Sequence, residues 1–199
     1  DPEFELIDTG IFTDNKYFDV FIEYAKVDDE DILVKITVEN RGPQAAHLNL
    51  LPTLWFRNTW AWGYDDYKPE LYLDEDGVIR ISHKELGDRY FFFDGKAEAL
   101  FCENETNTGR LYDYPKEGTF KDGINDYIVF GNPGSINKIH KGTKAAINYD
   151  LSIPAGKSKT VKLRLTKKFI AEPFKTFTKD FEGRLKEADD FFAELQNGI

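Results

Sequence analysis

The fold of this chain is decided by the stretch FDVFIEYAKVDDEDILVKITV, residues 18–38. Apolar and polar side chains alternate in it with a period of two, first from Phe18 to Tyr24 and again from Ile32 to Val38. Because successive side chains of a β-strand point to opposite faces of a sheet, each run predicts a half-buried strand. The acidic run at residues 28–31 separates the two runs and predicts a turn.

The same alternation recurs along most of the chain. Further runs lie at residues 48–56, 79–81, 145–153 and 161–165, with turn residues at 40–43, 74–77 and 154–157. Half-buried strands joined by short turns are typical of antiparallel sheets that pack face to face. We therefore predict an all-β protein of about ten strands, a large antiparallel β-sandwich with one C-terminal helix. The first residues, Phe4–Asp8, also predict part of a strand.

The C-terminal part has a helical pattern instead. Apolar side chains recur there at steps of three and four residues: Phe174, Phe177, Phe181, Leu185, Ala188, Phe192 and Leu195. Asn197 and Gly198 predict the helix end. We expect at least half of this stripe to pack on the sandwich, because each large side chain left in water costs about 1.5–3 kcal/mol. The alternative is that part of the stripe contacts another domain. The predicted division is a β-sandwich domain at 1–170 and the helix at 171–199.

Composition excludes several classes of protein. The 199 residues are 41% hydrophobic and 31% charged, as in globular proteins, and no apolar run approaches the roughly 18–20 residues of a membrane helix. The net charge of −10 is dispersed, so no basic surface for nucleic acid is expected. With one cysteine and no signal peptide, we expect a cytoplasmic protein without a nucleic-acid or membrane partner. Methionine is absent even at position 1, so we expect the chain to be cut from a longer one.

Motifs for cofactors and metals are missing from the sequence. No glycine-rich phosphate loop occurs, and the three histidines lie far apart, so we expect neither a cofactor nor a metal site. Glu103 and Glu105 could form a carboxylate pair of the kind that glycoside hydrolysis uses. Such pairs are common by chance among 36 acidic residues. We interpret residues 103–107 as a polar cluster that binds a partner surface.

The segment LWFRNTWAWGY, residues 54–64, holds all three tryptophans. Indole rings stack on the apolar faces of sugars, and Asn, Arg and Asp side chains bind sugar hydroxyls. We expect Trp55 to lie in the core, since it falls on a strand. Trp60 and Trp62 follow that strand, so we expect them on a loop, packed in the core or at a domain interface. Direct contact with sugar is the alternative.

These residues resemble the N-terminal region of bacterial glucosidase-like proteins related to glycoside hydrolase family 63, the mannosyl-oligosaccharide glucosidases. The Trp-rich and Glu-Asn-Glu-Thr-Asn stretches are the most specific parts of a resemblance that covers nearly the whole chain. The matching segments are Phe4–Phe12, Tyr17–Lys26, Asn40–Pro43, Leu51–Trp60, Glu103–Asn107 and Gly142–Ala146.

The resemblance implies a two-domain inverting enzyme in which a sandwich of the galactose-mutarotase type precedes an (α/α)6 barrel. The family's acid and base belong to the barrel, so no catalytic residue is carried over to this chain. The C-terminal helix would lead into the barrel, which would be the partner in the same polypeptide. Residues carried over as substrate or domain-interface positions are Arg57, Asn58, Trp60, Trp62, Glu103, Asn104, Glu105 and Asn107.

Three functions remain open from the sequence. The first is the non-catalytic domain of a family-63-like glycosidase, which supports the barrel and the rim of its sugar site. The second is a free-standing carbohydrate-binding module that uses Trp60 and Trp62. The third is a structural sandwich without a sugar role, for which all three tryptophans would be buried.

Overall fold

A computed structural model describes residues 3–75 and 77–196 of the chain, which contain eleven strands and three α-helices. The strands are β1 (Phe18–Asp28), β2 (Asp31–Asn40), β3 (Ala46–Leu50), β4 (Thr53–Trp55), β5 (Glu70–Leu73), β6 (Ile79–Ser82), β7 (Arg89–Phe93), β8 (Glu98–Cys102), β9 (Lys141–Gly142), β10 (Lys144–Ile153) and β11 (Ser158–Thr166). The helices are α1 (Thr108–Tyr112), α2 (Gly123–Phe130) and α3 (Phe177–Gln196). None of the described helices is long and apolar enough to cross a membrane.

Backbone contacts divide the chain into two units. The first comprises residues 1–48, 150–164 and 172–199, and the second comprises residues 49–149 and 165–171. In the first unit, β1 and β2 form an antiparallel hairpin in which Val20 lies opposite Val38 and Ile22 opposite Ile36. The other neighbour of β2 is β11. The predicted hairpin is therefore confirmed.

Helix α3 packs on this hairpin through its first turns. Phe177 is 1% exposed and forms a buried cluster with Ala25 of β1 and Leu33 of β2. Phe174 and Phe181 pack against the same cluster, and the rings of Phe177 and Phe181 stack with centroids 5.5 Å apart. The helix thus covers the end of the hairpin where Ala25 and Leu33 lie.

A buried ion pair fixes the segment that leads into α3. Arg164 of β11 donates from Nε to Oδ1 of Asp31 at 2.9 Å and makes a second bond to Oδ2 of the same carboxylate. Its Nη1 donates to the carbonyl of Pro173 at 2.7 Å. Because both side chains are nearly fully buried, the guanidinium links β2, β11 and the approach to α3 at one point.

The second unit contains strands from two antiparallel sets. In one set β7, β6, β5 and β9 are neighbours in that order, and in the other β4 and β8 both pair with β10. Both sets supply fully buried side chains, Leu71 and Ile79 from the first and Phe101 and Ile147 from the second. The sets approach closely at Gly142, where a Cβ would lie 2.4 Å from the carbonyl oxygen of Cys102.

These features confirm the predicted fold class, antiparallel sheets that form a sandwich with a C-terminal helix. The galactose-mutarotase type of sandwich and the domain division at residue 170 stay predictions. The N-terminal strand was wrong, because Leu6–Thr9 forms a 3₁₀ turn. Glu5 and Asp8 cap this turn reciprocally, and Gly10 ends it with a positive φ of 71°.

The expected packing of the helical stripe was only partly right. Phe174, Phe177 and Phe181 pack on the sheet, while Leu185, Phe192 and Leu195 are more than half exposed. Three of the seven stripe residues are therefore covered, which is fewer than half. The predicted helix end at Asn197 and Gly198 lies outside the described residues.

We expect Phe177→Ala to lower the free energy of unfolding by roughly 3–5 kcal/mol, since it removes a fully buried ring and leaves a cavity. Phe192→Ala is the matched control, because the same substitution at an exposed position of the same helix should change stability by less than about 0.5 kcal/mol. Urea denaturation followed by circular dichroism measures both. Equal effects of the two substitutions would contradict the docking of α3 on β1 and β2.

Candidate functional site

A buried carboxylate organises the candidate site in the second unit. Glu105 is 7% exposed, and its Oε1 accepts a hydrogen bond from Trp60 Nε1 at 2.7 Å. Lys68 Nζ lies 3.3 Å from the same oxygen, and Lys116 Nζ contacts Oε2. The ammonium of Lys68 also lies 5.9 Å from the centroid of the Trp60 ring. One indole and two ammonium groups therefore compensate the cost of burying this charge.

Glu103 joins the same arrangement through Lys68. Lys68 Nζ lies 3.0 Å from Glu103 Oε2, and the hydroxyl of Thr143 donates to this oxygen at 2.7 Å. The backbone N–H of Asn104 donates to that hydroxyl at 2.8 Å. We call the set Trp60, Lys68, Glu103, Glu105, Lys116 and Thr143 the Glu105 network.

The backbone brings these residues together at the end of β8. Strand β8 ends at Cys102, and the chain then turns, so that Glu103 and Glu105 follow directly. The amide side chain of Asn104 donates to the carbonyl of Phe56 at 2.8 Å, which holds this turn against the residues that follow β4. The N–H of Lys121 donates to the carbonyl of Glu105 at 3.1 Å. The turn is thus fixed by the segments on both sides of it.

The charges of the network oppose the effect of burial on the pKa values. Burial acts to raise the pKa of Glu105, but the hydrogen bonds from Lys116 and Trp60 and the charge of Lys68 lower it below its usual range. Burial acts to lower the pKa of Lys68, yet Glu103 and Glu105 raise it. Glu105 and Lys68 are therefore both charged at neutral pH.

The other residues predicted for the site have separate roles. Asn107 caps α1 by accepting from the N–H of Arg110 at 3.1 Å, and its amide donates to Asp122 at 3.1 Å. Asn58 accepts from the N–H of Ala61 at 3.0 Å, which shapes the loop after β4. Arg57 is exposed, and Trp62 is 65% exposed. The structure joins Trp60 to the acidic segment, while Arg57, Asn58 and Trp62 are not part of the Glu105 network.

The expectation that Trp55 lies in the core was wrong, because its side chain is 55% exposed. It lies on β4 opposite Lys144 of β10, at one wall of an open depression of about 500 Å³. The other lining residues are Thr53, Asn104, Lys121, Asp122 and Lys144. Alternation alone could not find this site, because it does not tell which face of a short strand remains uncovered.

Two basic residues and one acidic residue line the depression beside Trp55. Lys144 Nζ donates to the carbonyl of Lys121 at 2.8 Å, which fixes the ammonium next to the indole. Arg110 and Asn107 bind Asp122, so the pKa of this carboxyl is lowered although burial acts to raise it. An exposed indole beside amide, carboxylate and ammonium groups is suited to a polar ligand with an apolar face, such as a sugar.

Replacement of Glu105 by Gln should destabilise the protein in a pH-dependent way. A carboxylate whose pKa is lowered on folding contributes stability above its unfolded pKa of about 4.3, and this contribution is lost as the pH falls through the folded pKa. We expect Glu105→Gln to cost about 1–3 kcal/mol at pH 7 and the difference from the wild type to shrink below about pH 4.

Glu117→Gln is the matched control, because Glu117 is an exposed acid of the neighbouring loop. Its effect should be small at every pH. Denaturation midpoints measured between pH 3 and 8 test the pair. A Glu105→Gln penalty that is independent of pH would show that the charge of Glu105 does not stabilise the fold.

Comparison with known proteins shows that the chain is similar in sequence to part of a much longer protein. No family model matches it. The chain is 31% identical over 240 aligned residues to the uncharacterized protein YMR196W of Saccharomyces cerevisiae. The alignment covers 96% of this chain and 22% of the yeast protein, so the chain spans about a fifth of the length of the curated relative that it matches. The chain is thus a distant homologue of part of a larger protein.

Proposed function

We propose that this chain is a non-catalytic domain of a larger glycoside hydrolase-like protein, related to the family-63 glucosidases, in which it supports the catalytic barrel and the rim of its sugar site. The observation that carries the non-catalytic role is that Lys68 holds both Glu103 and Glu105 in ion pairs. A glycosidase acid must hold a proton near neutral pH and so needs a raised pKa. The pKa of Glu105 is lowered instead. Lys68 forms ion pairs with both carboxylates.

The supporting role is argued from the residues around the network. Trp and Arg are among the side chains that most often anchor protein interfaces, and Arg57 and Trp62 are exposed on the loop that contains Trp60. The network fixes this loop, because Trp60 is bonded to the buried Glu105. An anchor held on a fixed loop loses little conformational entropy when a partner domain docks. The homology to part of a longer protein is consistent with such a partner.

A carbohydrate-binding module remains the second candidate, and the exposure of Trp55 favours it. The indole of Trp60 is half-buried and its N–H is engaged by Glu105, so it is a poor platform for sugar. Trp55 instead offers an exposed ring beside Asn104 and Asp122. If the chain binds sugar, we therefore expect Trp55 rather than Trp60 to provide the stacking surface.

The purified chain should hydrolyse no aryl-glycoside, because the network holds its two adjacent carboxylates in ion pairs. The assay measures nitrophenol release from aryl-glucosides over pH 4–8. Turnover that disappears in Glu103→Gln and Glu105→Gln, with both variants folded by circular dichroism, would overturn the non-catalytic role.

Tryptophan fluorescence separates docking from sugar binding. We expect a separately produced catalytic portion of the longer protein to quench the fluorescence, and gluco-oligosaccharides to leave it unchanged. Trp62→Ala should weaken docking at least about tenfold, as expected for an interface anchor. Trp55→Ala is the control and should dock like the wild type. Quenching by sugar that is lost in Trp55→Ala would favour the binding module instead.

A further inference from the structure

The outer edge of β1 is apolar and lacks the usual protection of an edge strand. In the part of the chain that the structure describes, β1 pairs only with β2. Val20, Ile22 and Tyr24 are 45%, 53% and 70% exposed on one face, and Phe21 is about half exposed on the other. Natural edge strands are usually interrupted by proline, bulges or free charges.

None of these devices protects β1 between Phe18 and Lys26. This stretch contains no proline, and its pairing with β2 is regular up to Lys26. Its two acidic residues form ion pairs with basic residues of β2 and of the turn that follows β2. Asp19 is bound by Arg41 at 2.6 Å, and Glu23 is bound by Lys35 at 2.7 Å. The edge therefore presents little net charge to an approaching strand.

The hydrophobic core of the first unit stops abruptly at this strand. Val38 and Ile36 of β2 are buried to 0% and 5% exposure. Their direct partners on β1, Val20 and Ile22, lie on the same face and are about half exposed. The core that contains Val38 and Ile36 of β2 is therefore not covered where it reaches β1. Several large apolar side chains of β1 stay in contact with water, and the stabilisation that their burial would give is lost.

The hydrogen-bonding groups of the same residues point outward. The N–H of Arg41 donates to the carbonyl of Tyr17 at 3.0 Å, and the N–H of Asn40 donates in the opposite direction, to Lys157, at 3.0 Å. Because backbone groups alternate in direction along a strand, the odd-numbered residues of β1 bond to β2. Val20, Ile22 and Tyr24 therefore direct their N–H and C=O groups away from β2. One added strand would satisfy these groups and cover the exposed side chains together.

We propose that the outer edge of β1 binds an additional β-strand, and that this strand is an extended apolar segment of the same polypeptide outside residues 1–199. The proposal rests on the part of the proposed function that makes this chain one domain of a larger protein. The yeast relative is much longer than this chain, since the alignment covers 22% of it. A polypeptide of that length has residues outside the aligned region from which such a strand can come. A second copy of the chain is a poorer occupant, because each copy carries a net charge of −10.

Hydrogen exchange in the complete translated polypeptide tests the proposal residue by residue. Mass spectrometry with electron-transfer fragmentation should find the amides of Val20, Ile22 and Tyr24 exchanging within about tenfold of the rates of Phe21 and Glu23. The latter two are the internal control, because β2 protects their amides. Sedimentation at the same protein concentration should show a monomer.

Each other outcome overturns the proposal. Fast exchange at Val20, Ile22 and Tyr24 with slow exchange at Phe21 and Glu23 would show an open edge. Slow exchange that appears only in a concentration-dependent dimer would identify a second copy as the occupant. A reading frame that adds no extended apolar segment to these residues would remove the occupant altogether. No sugar and no activity enter this experiment, so its failure and that of the glycosidase-related role can be told apart.

Discussion

The cost of burying the Glu105 carboxylate is the constraint on which the candidate site depends. A buried charge is tolerated only where donors and opposite charges replace the lost water. Trp60, Lys68 and Lys116 do so from three separate segments of the chain. Each of these segments is irregular and would be mobile without such a partner. The carboxylate therefore converts loops into a fixed surface, which any role in docking or binding requires.

The same physical rule operates independently in the first unit. Asp31 and Arg164 form an ion pair although both side chains are almost fully buried, so each charge replaces the water that the other has lost. The guanidinium also donates a hydrogen bond to the carbonyl of Pro173. That carbonyl lies four residues before the start of α3, so the ion pair holds the segment that leads into the helix. Phe177 then completes the packing by filling the space above Ala25 and Leu33. A buried polar contact sets the position, and apolar burial supplies most of the stabilisation.

Prediction from the sequence succeeded where a strand has one covered face. β1, β2, β10 and β11 were found because their apolar side chains alternate with polar ones. β8 was missed, since four successive residues from Ala99 to Cys102 are buried and leave no alternation to detect. The run at 48–56 reads as one strand, but Leu51 and Pro52 interrupt it between β3 and β4. The exposure of Trp55 was missed because a three-residue strand has too short a pattern to define its covered face.

The sequence by itself determined the antiparallel β class and the C-terminal helix, because each of these is a local property of residue type and spacing. Only the tertiary structure decided that Trp60 donates a hydrogen bond to Glu105 and that Lys68 forms ion pairs with Glu103 and Glu105. Their separations along the chain are 45 and 37 residues, and no local pattern specifies contacts over such distances. The structure also decided which faces stay open, on β1 and at Trp55. Exposure depends on what the rest of the chain covers, and that is settled only when all strands have found their neighbours.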